Sequence, residues 1–273
     1  MDFIVNESDV MTNHIVYDYG CGYVKHVYMK HAVRQRGFEE IENSVSDLDF
    51  DDVNGSKIDF DDVSESEESD CNDNVERSMR RAKNMIKNMA LLNPWDLFIT
   101  WTFDPKKLDS KNSDMVYKYI LKFLKRLRDH DSGVRYLLIA EYHHDGEKIH
   151  FHGFIYDPKE KLKLVDSGKK TRHGQVIYNM PKWEVGFSTA VKLGKDFKDV
   201  AKASSYISKY ITKGSERILP RHYLCSKGLI NKPKTVYLND DWNEDLLKAK
   251  GAYENEYCWI LEEYNTNSDT LQK

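Results

Sequence analysis

Tyr136–Tyr156 reads YLLIAEYHHDGEKIHFHGFIY. Tyr136–Tyr142 and Ile149–Tyr156 are apolar and β-prone. Asp145-Gly146 between them is the dipeptide that favours a two-residue hairpin turn, because glycine takes positive φ at no steric cost. With those two residues as the turn, His144 pairs with Glu147, Tyr142 with Ile149, and Glu141 with His150. Side chains alternate along a strand, so His150 and His152 point to one face, and Glu141 lies on that face opposite His150. Two imidazoles and a carboxylate converge, which is a donor set suited to a divalent metal. His143 falls on the same face and competes as a ligand; His144 falls on the other. The plainer reading is one packed and one surface histidine, and the register-matched Glu141 weighs against it.

A second stretch, Ser205–Gly214, reads SYISKYITKG. On a helix Tyr206 and Tyr210, four apart, share a face, with Lys209 and Lys213 following at three and seven residues from Tyr206. Ile207 and Ile211 form a separate apolar stripe. An amphipathic helix with two half-buried tyrosines would look the same. Beside a metal site, however, a tyrosine hydroxyl is a candidate covalent nucleophile, and the lysines are candidates to hold phosphate charge.

These motifs carry a resemblance. His150-Phe151-His152 resembles the His-hydrophobic-His signature of the HUH endonucleases. Tyr206-Ile-Ser-Lys-Tyr210 resembles the two-tyrosine motif of their rolling-circle replication initiators, as in the A proteins of small circular-DNA phages. Phe98-Ile-Thr-Trp-Thr-Phe-Asp-Pro105 resembles the family's first motif, and the three stand in the family's order from roughly Trp95 to Ile230. The resemblance implies a ferredoxin/RRM-like sheet with the histidines on a central strand and the tyrosine helix across them. It also implies nicking of one DNA strand, a 5′-phosphotyrosine link, and Mg2+ or Mn2+ as cofactor on His150, His152 and Glu141. Tyr206 would be the initiating nucleophile, because Lys209 stands three residues after it. Tyr210 would carry a second transfer, and Lys209 would contact a phosphate or the leaving oxygen. A conjugative relaxase or transposase with the same chemistry is one alternative. A non-catalytic single-strand nucleic-acid binder is another, and it would not need His150, His152 and Tyr206 together.

Around these motifs the chain has 273 residues, 32% of them charged, and a net charge of −4. Glu42–Glu76 holds fourteen acidic residues against one lysine, a local −13, so the remainder is +9. A mildly acidic chain thus contains a basic body of the kind that neutralises phosphates. The tract repeats Asp-Phe-Asp-Asp-Val at 49–53 and 59–63 and is too charged to bury a core, so a disordered linker is expected. Mimicry of DNA in the basic cleft, or a partner contact through Phe50 and Phe60, are its functional alternatives. Domain boundaries are placed accordingly: 1–41 as an N-terminal segment, 42–76 as the acidic linker, 77–230 as the endonuclease domain, and 231–273 as a C-terminal extension.

Glu76–Asn93 is expected to be a helix whose Arg77, Arg80 and Arg81 stand where they would flank a DNA groove; Lys213 is the fourth expected DNA contact. Ser113–Asp129 is a second helix with the stripe Val116, Ile120, Phe123, Leu124 and Leu127. The order β-α-β-β-(β)-α, with Asp157–Met180 as an insertion loop, predicts an α+β fold: an antiparallel sheet with helices packed on one face. Tyr17–Met29 reads as a small hairpin around Gly20 and Gly22, with His26 and His31 as surface residues. Thr235–Leu238 and Trp242–Tyr257 read as further elements.

Four dispersed cysteines suggest free thiols in a reducing cytoplasm. Met1–Val10 lacks the character of a secretory leader, and no apolar run has the length of a membrane span. No GxxxxGK[ST] occurs, so unwinding and synthesis at a single-stranded DNA origin are expected to come from a host helicase and polymerase.

Overall fold

The computed structural model describes residues 10–20, 22–35, 68–128, 133–143, 146–194, 200–201, 203–204 and 218–264, with side chains of the first helix described from Arg77 onward. In chain order the elements are β1 (Val10–Asp18), β2 (Tyr23–Gln35), α1 (Glu68–Leu92), β3 (Leu97–Phe103), α2 (Ser113–Arg128), β4 (Arg135–Tyr142), β5 (Ile149–Tyr156), β6 (Val165–Lys170), β7 (Val176–Asn179), β8 (Gly186–Lys192) and β9 (Leu224–Cys225). Then come β10 (Lys234–Leu238), α3 (Glu244–Ala249), β11 (Tyr253–Glu254) and β12 (Cys258–Tyr264). This is the expected α+β class, built on antiparallel sheets. The elements fall into two compact units.

The larger unit is a seven-stranded sheet of order β6-β7-β8-β3-β5-β4-β9. Its local causes are legible. In β3, LFITWTF, the odd positions Leu97, Ile99, Trp101 and Phe103 are buried, while Phe98, Thr100 and Thr102 on the other face are only partly so. The period of two thus directs one apolar row into the core. α2 meets that row with the stripe read from its sequence: Val116, Ile120, Phe123, Leu124 and Leu127 are buried. Trp101 is the centre of this layer, stacked on Trp183 at 4.8 Å and edge-on to Phe123 at 5.1 Å between ring centroids. α2 begins where Asn112 Oδ1 accepts from Met115 N at 3.0 Å and ends in Lys125, Arg126 and Arg128, which suits its dipole.

The sheet carries a second layer on the opposite face. Ile86, Met89 and Ala90 of α1 pack with Trp95, Leu137, Ile139 and Phe154. Leu137, Ile139 and Phe154 have the opposite parity to Leu138 and Phe151, which belong to the α2 core. α2 therefore supplies the expected helix layer on one face, and α1 adds another across the sheet. α1 also starts earlier than the sequence pattern suggested, at Glu68 rather than Glu76, so its first turns use residues of the acidic stretch. The remainder of that tract, including both Asp-Phe-Asp-Asp-Val repeats, lies outside the described residues. Asp157–Met180 is not a plain loop. It forms the β6–β7 hairpin, and β7 joins β8 through Ile177 opposite Val191 and Tyr178 opposite Ala190.

The smaller unit is a five-stranded antiparallel sheet of order β10-β1-β2-β12-β11. The expected N-terminal hairpin is present as β1 and β2, with Gly20 and Gly22 at positive φ in the connection. α3 is capped by Asn243, whose side chain accepts from Asp245 N and Leu246 N. Leu247 of α3 packs on Trp259 and Leu261. His26 corrects its reading as an isolated surface residue. Its Nδ1 stands 3.0 Å from His14 Nε2, and His14 Nδ1 stands 2.7 Å from Asp240 Oδ2. These partners come from strands distant in sequence, so spacing gave no sign of them. His31 is exposed, as expected.

β5 is the central strand of the larger sheet, and Gly153 is what lets β4 lie against it. A Cβ at Gly153 would stand 2.1 Å from Leu137 O and 2.8 Å from Leu138 Cα, both backbone atoms that cannot turn aside. Gly153→Ala should therefore destabilise the protein by at least about 2 kcal/mol in urea unfolding. Gly168→Ala is the control: Gly168 has φ +71° and open space around it, so only the left-handed backbone penalty of about 1–2 kcal/mol applies.

Candidate metal centre

The hairpin of β4 and β5 has the register that alternation required: Glu141 opposite His150 and Tyr142 opposite Ile149. His143 N donates to Lys148 O at 2.7 Å, and Gly146 N donates to His143 O at 2.7 Å with Gly146 at φ +72°. His144 and Asp145 lie outside the described residues, and so does the expected pair of His144 with Glu147.

Because β5 is paired on both sides, its neighbours extend the row. Glu141, His150, Thr102 and Phe187 stand opposite one another across β4, β5, β3 and β8. The next row is Ile139, His152, Thr100 and Thr189. Both rows lie on the face that carries α1.

Three ligand atoms converge there. His150 Nε2 is 2.9 Å from His152 Nε2 and 3.2 Å from Glu141 Oε2, and His152 Nε2 is 3.1 Å from the same oxygen. Both histidines are buried, each 8% exposed. Ligands bound at about 2.1 Å in neighbouring positions of an octahedron stand about 3.0 Å apart, against about 3.4 Å in a tetrahedron. The observed spacing fits three adjacent octahedral positions, a two-histidine, one-carboxylate face. A proton on His150 Nε2 would satisfy one or two of these contacts, whereas a divalent cation satisfies all three. Glu141, His150 and His152 are the group of metal-ligating character among the described residues. His143 is exposed, its ring edge-on to His150 at 5.7 Å, and it stands outside that group.

Thr100 holds the second histidine in place, with Oγ1 2.9 Å from His152 Nδ1. When Nδ1–H donates to this hydroxyl, the Nε2 lone pair is left facing Glu141 and His150, the outer-shell arrangement that fixes a ligand's tautomer. His150 Nδ1 is buried without a hydrogen-bond partner among the described residues. Burial first, and then the neighbouring His152, bring the His150 pKa down to about 4, against the opposing pull of Glu141. His150 is therefore neutral at physiological pH, as a metal ligand must be. Thr100 was missed from sequence as a site residue. Its alternation with Thr102 was visible, but the β3–β5 register that puts it against His152 was not.

Arg77, Arg80 and Arg81 are exposed on α1. Tyr206, Lys209, Tyr210 and Lys213 lie outside the described residues. The chain just before them is described: residues 200, 201, 203 and 204 are helical, and Val200 and Ala203 pack against the cluster containing Leu137, Ile139 and Phe154. That cluster lies on the same sheet face as His150 and His152.

The lowered His150 pKa has a thermodynamic sign. As pH falls below about 6.5 the unfolded chain takes up a proton that the folded imidazole refuses until about pH 4, so stability falls across that window. Metal-free protein should lose up to about 3 kcal/mol between those limits from this group. Urea melts across the range will measure it, and His150→Gln should flatten this component of the slope. An NMR titration in which His150 has a midpoint near 6.5 would contradict the buried geometry.

No helix among the described residues is long and apolar enough to cross a membrane. A search of curated proteins and a search of solved structures each found no match. Residues 96–215 do match a family model, that of the ORF2-type replication-associated proteins. The matched segment runs from the start of β3 through the three ligand residues and past Tyr206 and Tyr210. Over that span the chain is similar to replication-associated proteins.

Proposed function

We propose that this protein is a metal-dependent endonuclease and strand transferase. It nicks one DNA strand at an origin through a tyrosine nucleophile and thereby starts rolling-circle replication of a small phage or plasmid. The observation that carries the reading is the convergence of His150 Nε2, His152 Nε2 and Glu141 Oε2 within 2.9–3.2 Å on one sheet face. The match of residues 96–215 to a replication-associated family supports it, as does the approach of the chain to Tyr206 along that same face.

The three side chains fit Mg2+ or Mn2+, which when bound would supply positive charge against the oxygens of the scissile phosphate. Thr100 keeps His152 turned for this purpose. In the reaction, Tyr206 Oη forms a bond to phosphorus as the bond from phosphorus to the 3′ oxygen breaks. The electron pair leaves with that oxygen, which gains a proton to become a 3′-OH, while the phenol proton passes to solvent. The 5′ end remains as a phosphotyrosine. One phosphoester replaces another, so the link keeps the capacity to rejoin a strand. A phenol with a pKa of about 10 is mostly protonated at neutral pH, so loss of its proton must accompany attack. Lys209 would neutralise a phosphate or the departing oxygen, and Tyr210 would take the second transfer. Lys213 and the arginines Arg77, Arg80 and Arg81 would bind backbone phosphates. Strand opening and synthesis would fall to a host helicase and polymerase.

The decisive experiment uses a labelled single strand carrying the origin. A covalent adduct should form with Mn2+ or Mg2+, vanish with EDTA and return when metal is restored. His150→Ala and His152→Ala should abolish it while leaving the fold and much of the DNA affinity intact. Glu141→Ala should cost at least about tenfold in rate, roughly 1.4 kcal/mol of barrier; a smaller loss would point to His143 or water as the third ligand.

Tyr206→Phe should remove the first adduct. Tyr210→Phe should nick once and fail at the second transfer. Mass spectrometry of the adduct decides between them: attachment to Tyr210 alone reverses the assignment. No adduct on either residue, with strand binding retained, would favour a non-catalytic binder.

A further inference from the structure

Phe187 is 67% exposed, although it lies on β8 inside the seven-stranded sheet. Its neighbours along the strand explain which way it points. Ser188 is buried on the opposite face, where its Oγ accepts from Met180 N at 2.8 Å. Phe187 therefore stands on the face of the metal centre, in the row Glu141, His150, Thr102, Phe187. Two strand spacings separate it from His150, about 10 Å.

Among the described residues, those beside the ring leave it open. Across from it is Thr102, and two residues along is Thr189, both too short to shield a phenyl group and both only half-buried. β7 is paired with β8 at Val191 and Ala190 and not at Phe187. Lys169 lies on the same face farther out, opposite Ile177, and is exposed.

We infer that Phe187 is a stacking platform for a base of single-stranded DNA, one close to but not at the scissile phosphate. The inference rests on the proposed function for the identity of its ligand. A single flat ring flanked by two threonine hydroxyls is not the broad apolar patch that a protein partner would require. It does offer a π face to any base, with no hydrogen bonds that would demand a particular one. The metal centre in the same row would bind phosphate, so backbone and base of one strand are held by one sheet face. The platform accordingly contributes affinity and placement with little sequence preference.

The test measures binding of a fluorescein-labelled oligo-dT strand to the full chain in EDTA, where cleavage is silent. Phe187→Ala and Phe187→Leu should each weaken binding about tenfold, within the range seen for loss of one stacked base. Phe187→Trp should bind within about twofold of the parent. Titration with Mn2+ alone by calorimetry should give the same affinity in all four proteins. Parent-like binding by Phe187→Ala or Phe187→Leu would overturn the platform and leave Phe187 to a protein contact. A loss in Phe187→Trp as large as in Phe187→Ala would also overturn it, as would failure of the parent to bind. Failure of the nuclease reading is seen separately, as absence of a metal-dependent adduct in a parent that still binds the strand through Phe187.

Discussion

The pairing of β4 with β5 is the constraint on which the larger unit depends. β5 is hydrogen-bonded on both sides and buried along nearly its whole length. Its odd positions, among them Phe151, Gly153 and Ile155, face the α2 layer or the backbone of β4; its even positions face the metal centre and α1. A slip of one residue would drive His150 and His152 into the apolar core around Trp101 and turn Phe151 and Ile155 outward. The same alternation that buries the core therefore places the ligands. Stability and chemistry share one register and cannot be varied independently.

That arrangement leaves an electrostatic tension in the fold. Two imidazole nitrogens and a carboxylate oxygen meet in a largely dry site, and all three atoms present lone pairs to one another unless a proton or a cation lies between them. Burial disfavours the protonated His150, so in the absence of metal the site is poorly satisfied, and the packing of Ile139, Phe154 and α1 behind it holds the donors in place. Poor local satisfaction over-determined by surrounding structure is typical of a binding site prepared in advance. Thr100 contributes to that preparation with one hydroxyl group.

The centre was legible because its information is local. A turn dipeptide, two strands of matching period and three ligand-type residues fall within Tyr136–Tyr156, so register follows from the turn and facing follows from parity. The α2 stripe was legible for the same reason. What escaped depends on pairings across long stretches of chain. Thr100 reaches His152, and His14 reaches His26 and Asp240, only once non-adjacent strands have been aligned. The β6–β7 hairpin was hidden by its composition: Val165–Lys170, VDSGKK, has few apolar residues because it is solvated on both faces, so alternation gives no signal. α1 extended past its expected start because charge was weighed above helical continuity.

The smaller sheet interleaves strands from early and late in the sequence: β1 lies between β10 and β2, and β2 between β1 and β12. On the ribosome, β1 and β2 emerge long before the strands that flank them. Until β10 and β12 arrive, the first hairpin has two open edges, and a two-stranded hairpin alone is marginal in water. The larger unit, whose β3–β8 strands are closer in sequence, can assemble during that interval, whereas closure of the smaller sheet must wait for β12. The protein's synthesis thus has an intrinsic order: the ligand-bearing sheet forms first, and the sheet made from early and late strands is completed last.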